Sequence, residues 1–184
     1  MRRSVFLLCF LFLGFVGQAS AERGDHFWLL KGGMLWVDKA ENPDSLTSLG
    51  LTYGYGITER IALEIDYDQT LSGGAYDVKP PAVNIAEKGE YSMWLASANV
   101  AYRHLLFAGL YLKARLGYTY GDESRTTDNA TVGDKSDTLH GIGGALGLGY
   151  LAGPLIGSST TFELAYTLHN QDISSAMLGV NLTF

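Results

Sequence analysis

Strict alternation of bulky apolar residues with small or polar ones is the feature that most constrains this chain. It is clearest at residues 50–69, GLTYGYGITERIALEIDYDQ, where two alternating runs are separated by Thr58-Glu59-Arg60. Successive side chains of a β-strand point to opposite faces, whereas those of a helix repeat every 3.6 residues, so a period of two predicts strands. In the second run one face carries Ile61, Leu63, Ile65 and Tyr67, and the other carries Ala62, Glu64, Asp66 and Asp68.

The same pattern recurs along the chain and predicts eight strands. Glycine is abundant, with 23 residues, and proline is scarce, with 4, which suits strands joined by tight bends. No convincing stretch of helical period follows the first 21 residues. We therefore predict an all-β fold, an eight-stranded antiparallel up-and-down barrel that crosses a membrane, with strands at about 27–37, 47–57, 61–71, 91–103, 110–120, 139–151, 160–169 and 175–184.

The connections between these strands differ in length on the two sides of the barrel. On one side they are short, at residues 58–60, 104–109 and 152–159. On the other side lie two long polar connections, 72–90 and 121–138, and two shorter ones, 38–46 and 169–174. Short turns at one end and longer loops at the other are typical of bacterial outer-membrane barrels.

The two faces of the predicted strands indicate what surrounds the barrel. One face is wholly apolar or aromatic in the five clearest strands, and the other is mostly small, polar or charged. Eight strands enclose only enough space for ordinary side chains, so the small residues fit the lumen and the bulky set does not. We therefore expect the apolar face to contact lipid, with tyrosines near the strand ends at the membrane interfaces.

Charged residues within the strands predict a cluster in the lumen. Lys113 or Arg115 on the lipid face at mid-depth would cost about 2–4 kcal/mol each, so both are expected to point inward. Buried charges are tolerated when they are paired and hydrogen-bonded. We predict a lumenal ion-pair cluster that plugs and holds the barrel, formed by Lys31, Glu64, Asp66, Arg103, Lys113, Arg115 and Glu163.

The first residues have the layout of a secretory signal peptide. Arg2 and Arg3 precede an apolar stretch and the small-residue pattern Ala19-Ser20-Ala21, which predicts cleavage after residue 21 and one barrel domain over 22–184. The alternative is an uncleaved N-terminal membrane anchor, but about a dozen apolar residues are too few to span a bilayer comfortably. Two of the 13 basic residues lie in this leader, which leaves 11 against 19 acidic residues and argues against a nucleic-acid partner.

The end of the chain resembles a known assembly signal. In SSAMLGVNLTF, Leu178, Val180 and Leu182 alternate with smaller residues and Phe184 comes last. This ending looks like the signal by which barrel-insertion machinery recognises the final strand of outer-membrane proteins. Across 22–184 the chain resembles the small eight-stranded barrels of the outer membrane protein A-like transmembrane domain and the related porin-like family, and YGYGITERIALEIDYD resembles their second hairpin.

This resemblance implies a Gram-negative outer-membrane protein, exported through the periplasm and surrounded by lipid and lipopolysaccharide, and we expect a monomer. It favours a structural or narrow porin-like role. An alternative is an adhesin, host-interaction or serum-resistance protein that acts through loops 72–90 and 121–138.

A lipid A-modifying enzyme is a further alternative, because some small outer-membrane barrels act on lipid A. A deacylase of this kind would show His-x-Ser-Asn near the end of the barrel, whereas this chain has His169-Asn170-Gln171 with Ser174 and Ser175 further on. His169 is therefore expected to be a polar cap at a strand end. The other histidines stand singly, without the spacing of a metal site. We predict no catalytic residue, cofactor or metal.

Overall fold

The structure, a computed structural model, describes residues 24–38, 45–71, 74–78, 87–127, 135–155, 158–170 and 172–184. The predicted signal peptide, 1–21, lies outside these ranges. Within them the chain forms nine strands: β1 (His26–Val37), β2 (Leu46–Gly56), β3 (Ile61–Thr70), β4 (Gly74–Val78), β5 (Glu87–Leu105), β6 (Leu110–Thr127), β7 (Lys135–Leu155), β8 (Ser158–Leu168) and β9 (Ile173–Thr183). The described ranges hold no helix long and apolar enough to cross a membrane.

Eight of these strands close into an antiparallel barrel. Each strand pairs with its neighbours in the order β3-β2-β1-β9-β8-β7-β6-β5, and a pairing between β3 and β5 closes the ring. The first and last strands are joined by β1–β9 pairing, and the Phe184 N–H donates to the His26 carbonyl oxygen at 2.8 Å. The predicted fold class is confirmed. We call the end with Gly24, Phe184 and the 57–60 and 106–109 turns the turn end, and the opposite end the loop end.

Three strands are longer at the loop end than the sequence pattern predicted. β5, β6 and β7 have 19, 18 and 21 residues, and β5 and β6 remain paired as far as Gly89 and Thr127. The short β4 pairs with β5 past the end of β3. Parts of the predicted loops 72–90 and 121–138 are therefore strand. The prediction was wrong there because hairpin pairing continues into polar sequence that lacks the apolar alternation.

The orientation of the two faces agrees with the prediction. Leu63, Leu112 and Leu164 are exposed on the outside of the barrel, whereas Lys113 and Arg115 are buried inside it. Large apolar side chains are exposed on the outer face of each of the eight barrel strands, from Leu30 on β1 to Val180 on β9. The outside is thus an apolar belt, and the charged residues of the strands lie in the lumen.

Candidate functional site: the filled lumen

The lumen is filled by three layers of side chains. Near the turn end lie the rings of Phe27 and Tyr111, both fully buried. The middle is a charged layer, and the loop end holds an apolar cluster. These layers are the candidate site because they decide whether anything passes through the barrel.

The aromatic layer fits a narrow barrel because glycines face the two rings. A Cβ added at Gly54 would lie 1.9 Å from Phe27 Cζ, and one added at Gly149 would lie 2.0 Å from Tyr111 Cζ. Rings and backbone therefore approach as closely as only glycine allows. This explains why bulky side chains can enter a lumen in which the sequence pattern predicts small ones.

Lys113, on β6, is the centre of the first half of the charged layer. Its Nζ lies 2.7 Å from Glu64 Oε1 on β3 and 3.0 Å from Glu163 Oε2 on β8. The ammonium also lies 5.6 Å from the centroid of the Phe27 ring. This single cation therefore ties strands on three sides of the lumen to one another.

Lys31, on β1, is the centre of the second half. Its Nζ lies 2.9 Å from Asp66 Oδ1 and 3.0 Å from Asp68 Oδ1, both on β3. Asp66 also accepts hydrogen bonds from Thr52 Oγ1 and, at 2.6 Å, from Asn99 Nδ2. The carboxylate of Asp66 is thus held by three neighbouring strands.

Arg115 joins the two halves into one network. Its Nη1 lies 3.4 Å from Asp66 Oδ1 and 3.6 Å from Glu64 Oε2, and its Nη2 lies 4.0 Å from Glu163 Oε1. Three cations and four carboxylates, all buried, thus share partners across the middle of the barrel. Paired in this way, charges that would be costly alone become tolerable inside a protein.

The structure brings together six of the seven residues predicted for this cluster: Lys31, Glu64, Asp66, Lys113, Arg115 and Glu163. Arg103 pairs with Lys113 in the β5–β6 register but contacts a ring rather than a carboxylate. Its guanidinium lies 4.8 Å from the centroid of the Tyr111 ring, and the Tyr111 hydroxyl donates to Glu163 Oε2 at 3.3 Å. The prediction missed Asp68, although its phase on β3, two residues after Asp66, was a usable signal.

The apolar cluster at the loop end was not predicted. It consists of eight buried residues from β1, β2, β5, β7 and β9: Leu35, Val37, Leu46, Tyr91, Met93, Leu95, Leu139 and Ile173. The expectation of a lumen lined mainly by small and polar residues is wrong at this end. Here both faces of a strand are apolar, as in Met93-Trp94-Leu95, so alternation cannot separate inside from outside.

Above the apolar cluster, β5 and β6 carry a smaller polar group. The Tyr91 hydroxyl donates to Glu123 Oε2 at 2.6 Å, and Arg125 Nη2 lies 2.9 Å from Glu123 Oε1. The Arg125 guanidinium also lies 5.7 Å from the centroid of the Tyr91 ring. The Glu123 carboxylate thus holds both the Tyr91 hydroxyl and the Arg125 guanidinium.

His169 follows β8 and points into the barrel. It is buried, and its Nε2 lies 2.9 Å from Ser175 Oγ, while Nδ1 has no hydrogen-bond partner among the described residues. With Lys31, Asp66 and Thr119 it lines a cavity of about 10 Å³, room for about one water molecule. The expected polar cap at the strand end is thus a buried side chain, because residue 169 continues the inward phase of β8.

Metal ligation finds no support in the described ranges, where no group of three or more His, Cys, Asp or Glu side chains is arranged to hold an ion. The four carboxylates of the charged layer instead face the ammonium groups of Lys31 and Lys113 and the guanidinium of Arg115. What the lumen offers chemically is therefore a network of paired charges, three cations with four carboxylates, together with the aromatic and apolar layers.

Comparison with protein families agrees with the barrel fold described above. The family model described as "Outer membrane protein beta-barrel domain" matches residues 6–184. The chain belongs to this family. It is accordingly a protein of the outer membrane. In barrels of this kind the short turns face the periplasm and the longer loops face outside. No curated protein matches the sequence.

Solved structures with the same fold include natural outer-membrane barrels. OprG from Pseudomonas aeruginosa is 16% identical with a TM-score of 0.60, and the match covers 90% of this chain and 98% of OprG. Ail, the attachment invasion locus protein of Yersinia pestis, is 14% identical with a TM-score of 0.56, covering 88% of this chain and 99% of Ail in its complex with a heparin analogue. At such identities the likeness shows the fold alone.

Proposed function

We propose that this protein is a structural outer-membrane barrel with a closed lumen, through which at most ions or water pass. The observation that carries the proposal is the apolar cluster at the loop end, eight buried side chains contributed by five strands. Beneath it the charged layer and the rings of Phe27 and Tyr111 occupy the rest of the lumen. In a lumen as narrow as that of an eight-stranded barrel, such filling opposes the diffusion of solutes.

Conductance in planar bilayers tests this proposal. We expect the purified protein to give no more than small, ion-sized steps in concentrated KCl. The triple variant Phe27→Ala, Arg115→Ala and Leu95→Ala shortens one side chain in each of the three layers and should give larger steps, with the heat-shifted gel band as the check that it folds. The matched control is Leu116→Ala on the lipid-facing side of β6, which should behave like the unaltered protein. Steps from the unaltered protein as large as those of the triple variant would overturn the proposal.

The proposed surroundings are outer-membrane lipid and lipopolysaccharide on all sides, with the protein as a monomer. Support comes from the apolar belt, which runs over all eight barrel strands without an interruption that would suit a protein partner. Concentration-independent sedimentation in detergent micelles is expected. A stable dimer over the accessible concentration range would contradict this part of the proposal.

The last strand is proposed to be the signal read by the barrel-insertion machinery. Support comes from the position of Leu178, Val180, Leu182 and Phe184, which share the outer face of β9. Expression without Phe184 should abolish the compact band that shifts on heating in gel electrophoresis. A control variant, Phe162→Leu, changes a lipid-facing phenylalanine on β8 and should keep the band. An unchanged band without Phe184 would exclude this role.

We also propose that the protein is not an enzyme. His169 and Ser175 lie within hydrogen-bonding distance, but both are buried in the lumen, where membrane lipid does not reach them. A hydrolytic triad further needs an acidic group to orient the other ring nitrogen of the histidine. Expression in an outer-membrane host should leave the mass spectrum of lipid A unchanged. A new lipid A species that disappears with His169→Ala would overturn this.

A second candidate function is binding of a surface ligand through the loops. Its support is the extension of β5, β6 and β7 past the barrel, which displays polar sequence outside the membrane. The segments 38–45, 71–90, 121–138 and 169–172 contain 12 acidic and 5 basic residues. Ail was crystallised with a heparin analogue, a polyanion. The acidic excess of this chain opposes such a ligand and favours a cationic partner.

Loop exchange tests the second candidate. Immobilised polylysine and heparin serve as the cationic and anionic probes. We expect retention on polylysine that falls with salt and falls further when 121–138 is replaced by a neutral Gly/Ser segment, while the heat-shifted barrel band persists. The 121–138 segment holds 5 of the acidic residues, so it should matter more than 72–90. Stronger retention on heparin would contradict the proposal.

A further inference from the structure

The turn between β5 and β6 is unusually apolar for a segment that faces the periplasm. Residues 105–110 read LLFAGL and contain no polar side chain. Leu105, Leu106 and Phe107 are 52%, 43% and 71% exposed. The β2–β3 turn at the same end carries Thr58, Glu59 and Arg60, all exposed. One side of the turn end thus presents large apolar side chains, and another presents charges.

Part of the backbone of the β5–β6 turn is already hydrogen-bonded. The Leu106 N–H donates to the Leu110 carbonyl oxygen at 2.8 Å, and the Leu110 N–H donates to that of Phe107 at 2.9 Å. The Gly109 carbonyl oxygen accepts from the Leu151 N–H at 2.9 Å, which ties the turn to β7. Entry into an apolar medium is costly chiefly for unpaired backbone groups. These bonds lower that cost, and the remaining N–H groups at the tip, of Phe107, Ala108 and Gly109, suit the headgroup boundary, where they can still bond to water or phosphate, rather than the hydrocarbon centre.

The turn is also continuous with the lipid-facing belt. Tyr102 on β5 and Leu112 on β6 are exposed on the outer face, and they lie just before and just after the turn. The last β3–β5 pair is Ile61 with Tyr102, so β5 continues three residues further before it turns. On the β6 side the apolar surface that contacts acyl chains therefore extends from Leu112 through Leu110 onto the hairpin tip, whereas on the β5 side the exposed His104 lies between Tyr102 and the turn.

We propose that the β5–β6 turn is embedded in the periplasmic leaflet as an interfacial phospholipid anchor. The barrel then lies deeper in the membrane on its β5–β6 side than on its β2–β3 side. An exposed apolar group of this size is unfavourable in water and favourable at the boundary between headgroups and acyl chains. The turn carries no cation, so the anchor does not depend on anionic lipid. This inference goes beyond the closed lumen and does not depend on it.

Single-cysteine labelling tests the proposal in the folded barrel. The only cysteine of the chain, Cys9, lies in the predicted signal peptide, and the variants are made with Cys9→Ser. An NBD fluorophore is attached at Leu106→Cys, which keeps Phe107, and at the matched control Glu59→Cys in the other turn. The barrels are refolded into phosphatidylcholine vesicles. Both labels lie at the same end of the barrel. Iodide outside the vesicle therefore has the same access to both labels, whichever way the barrel is inserted.

The embedded turn predicts opposite quenching of the two labels. The label at 106 should be quenched by brominated acyl chains and protected from iodide, and the label at 59 should show the reverse. Adding Phe107→Ser should shift the equilibrium between the embedded and the solvated turn by about tenfold toward the solvated turn. The label at 106 should then lose quenching by brominated lipid, while the heat-shifted barrel band is retained. Iodide quenching at 106 equal to that at 59 would overturn the proposal. Protection at 106 from both quenchers would also overturn it, because a protein partner or second copy would then cover the turn.

Discussion

The charged layer and the apolar cluster fill the same lumen by opposite chemistry. In the charged layer, Arg115 shares its contacts among carboxylates of two strands, so each group depends on several others. In the apolar cluster, residues such as Leu95 and Leu35 contribute by burial alone. The difference teaches that removal of one charge leaves its partners uncompensated, whereas removal of one apolar side chain leaves only a cavity. The two layers should therefore respond differently to substitution.

The largest effect is expected from Lys113→Ala. It leaves Glu64 and Glu163 buried with only the longer contacts to Arg115, at 3.6 and 4.0 Å, which should lower the free energy of unfolding by about 3–5 kcal/mol. Urea unfolding in detergent micelles, followed by tryptophan fluorescence, measures this. Leu112→Ala, the neighbouring change on the lipid face, is the control and should cost less. Equal unfolding midpoints for Lys113→Ala and the unaltered protein would remove the basis for a stabilising charged layer.

Leu95→Ala sharpens the comparison from the apolar side. Loss of a fully buried leucine should cost about 2–4 kcal/mol through lost burial and the cavity left behind. At Leu116, on the outside, lipid fills the space, so Leu116→Ala should cost less in the same unfolding assay. If both leucines cost the same, the apolar cluster is not packed as the structure has it.

Tyr91→Phe tests the polar group above the apolar cluster. It removes the hydroxyl that donates to Glu123 at 2.6 Å but leaves the Arg125–Glu123 ion pair. The expected loss of stability is about 1–2 kcal/mol, since the lost bond had a charged acceptor. Thermal unfolding in micelles is a suitable measurement. A loss as large as that of Lys113→Ala would show that this group is the main support of the barrel.

The smallest effect is expected from Arg103→Ala. Arg103 is half-buried and contacts the Tyr111 ring rather than a carboxylate of the charged layer, so its loss should cost about 1 kcal/mol or less. Arg115→Ala, which removes a cation with three carboxylate neighbours, should cost several times more in the same unfolding assay. Equal losses would place Arg103 within the charged network after all.

The alternation of apolar and polar residues predicts some features of this barrel and not others. It identifies the face of a strand, so the sequence alone suffices to predict that Lys113, Glu64 and Glu163 share the lumen. It does not tell which neighbour an inward side chain contacts. Arg103 pairs with Lys113 in the β5–β6 register, yet its guanidinium lies over the Tyr111 ring rather than against a carboxylate.

Alternation also fails to predict the lumenal face where both faces of a strand are apolar or both are polar. Met93 and Leu95 flank Trp94, so nothing in the sequence distinguishes the lumenal face of β5 from the lipid face at that end. The polar residues 121–127 lack the apolar alternation of a strand and resemble a loop, although backbone pairing to β5 and β7 holds them as strand. In both places the fold is decided by partners distant in sequence, which a single strand pattern does not contain.

The central claim is that the charges of the lumen stabilise one another, and a double-mutant cycle between Lys113 and Glu163 tests it most directly. Urea unfolding would be measured for Lys113→Met, Glu163→Gln and the two combined. Because Lys113 Nζ lies 3.0 Å from Glu163 Oε2, we predict a favourable coupling of about 1.5 kcal/mol or more, with the double variant less destabilised than the two single losses together. Single losses that add to within about 0.5 kcal/mol would contradict the account.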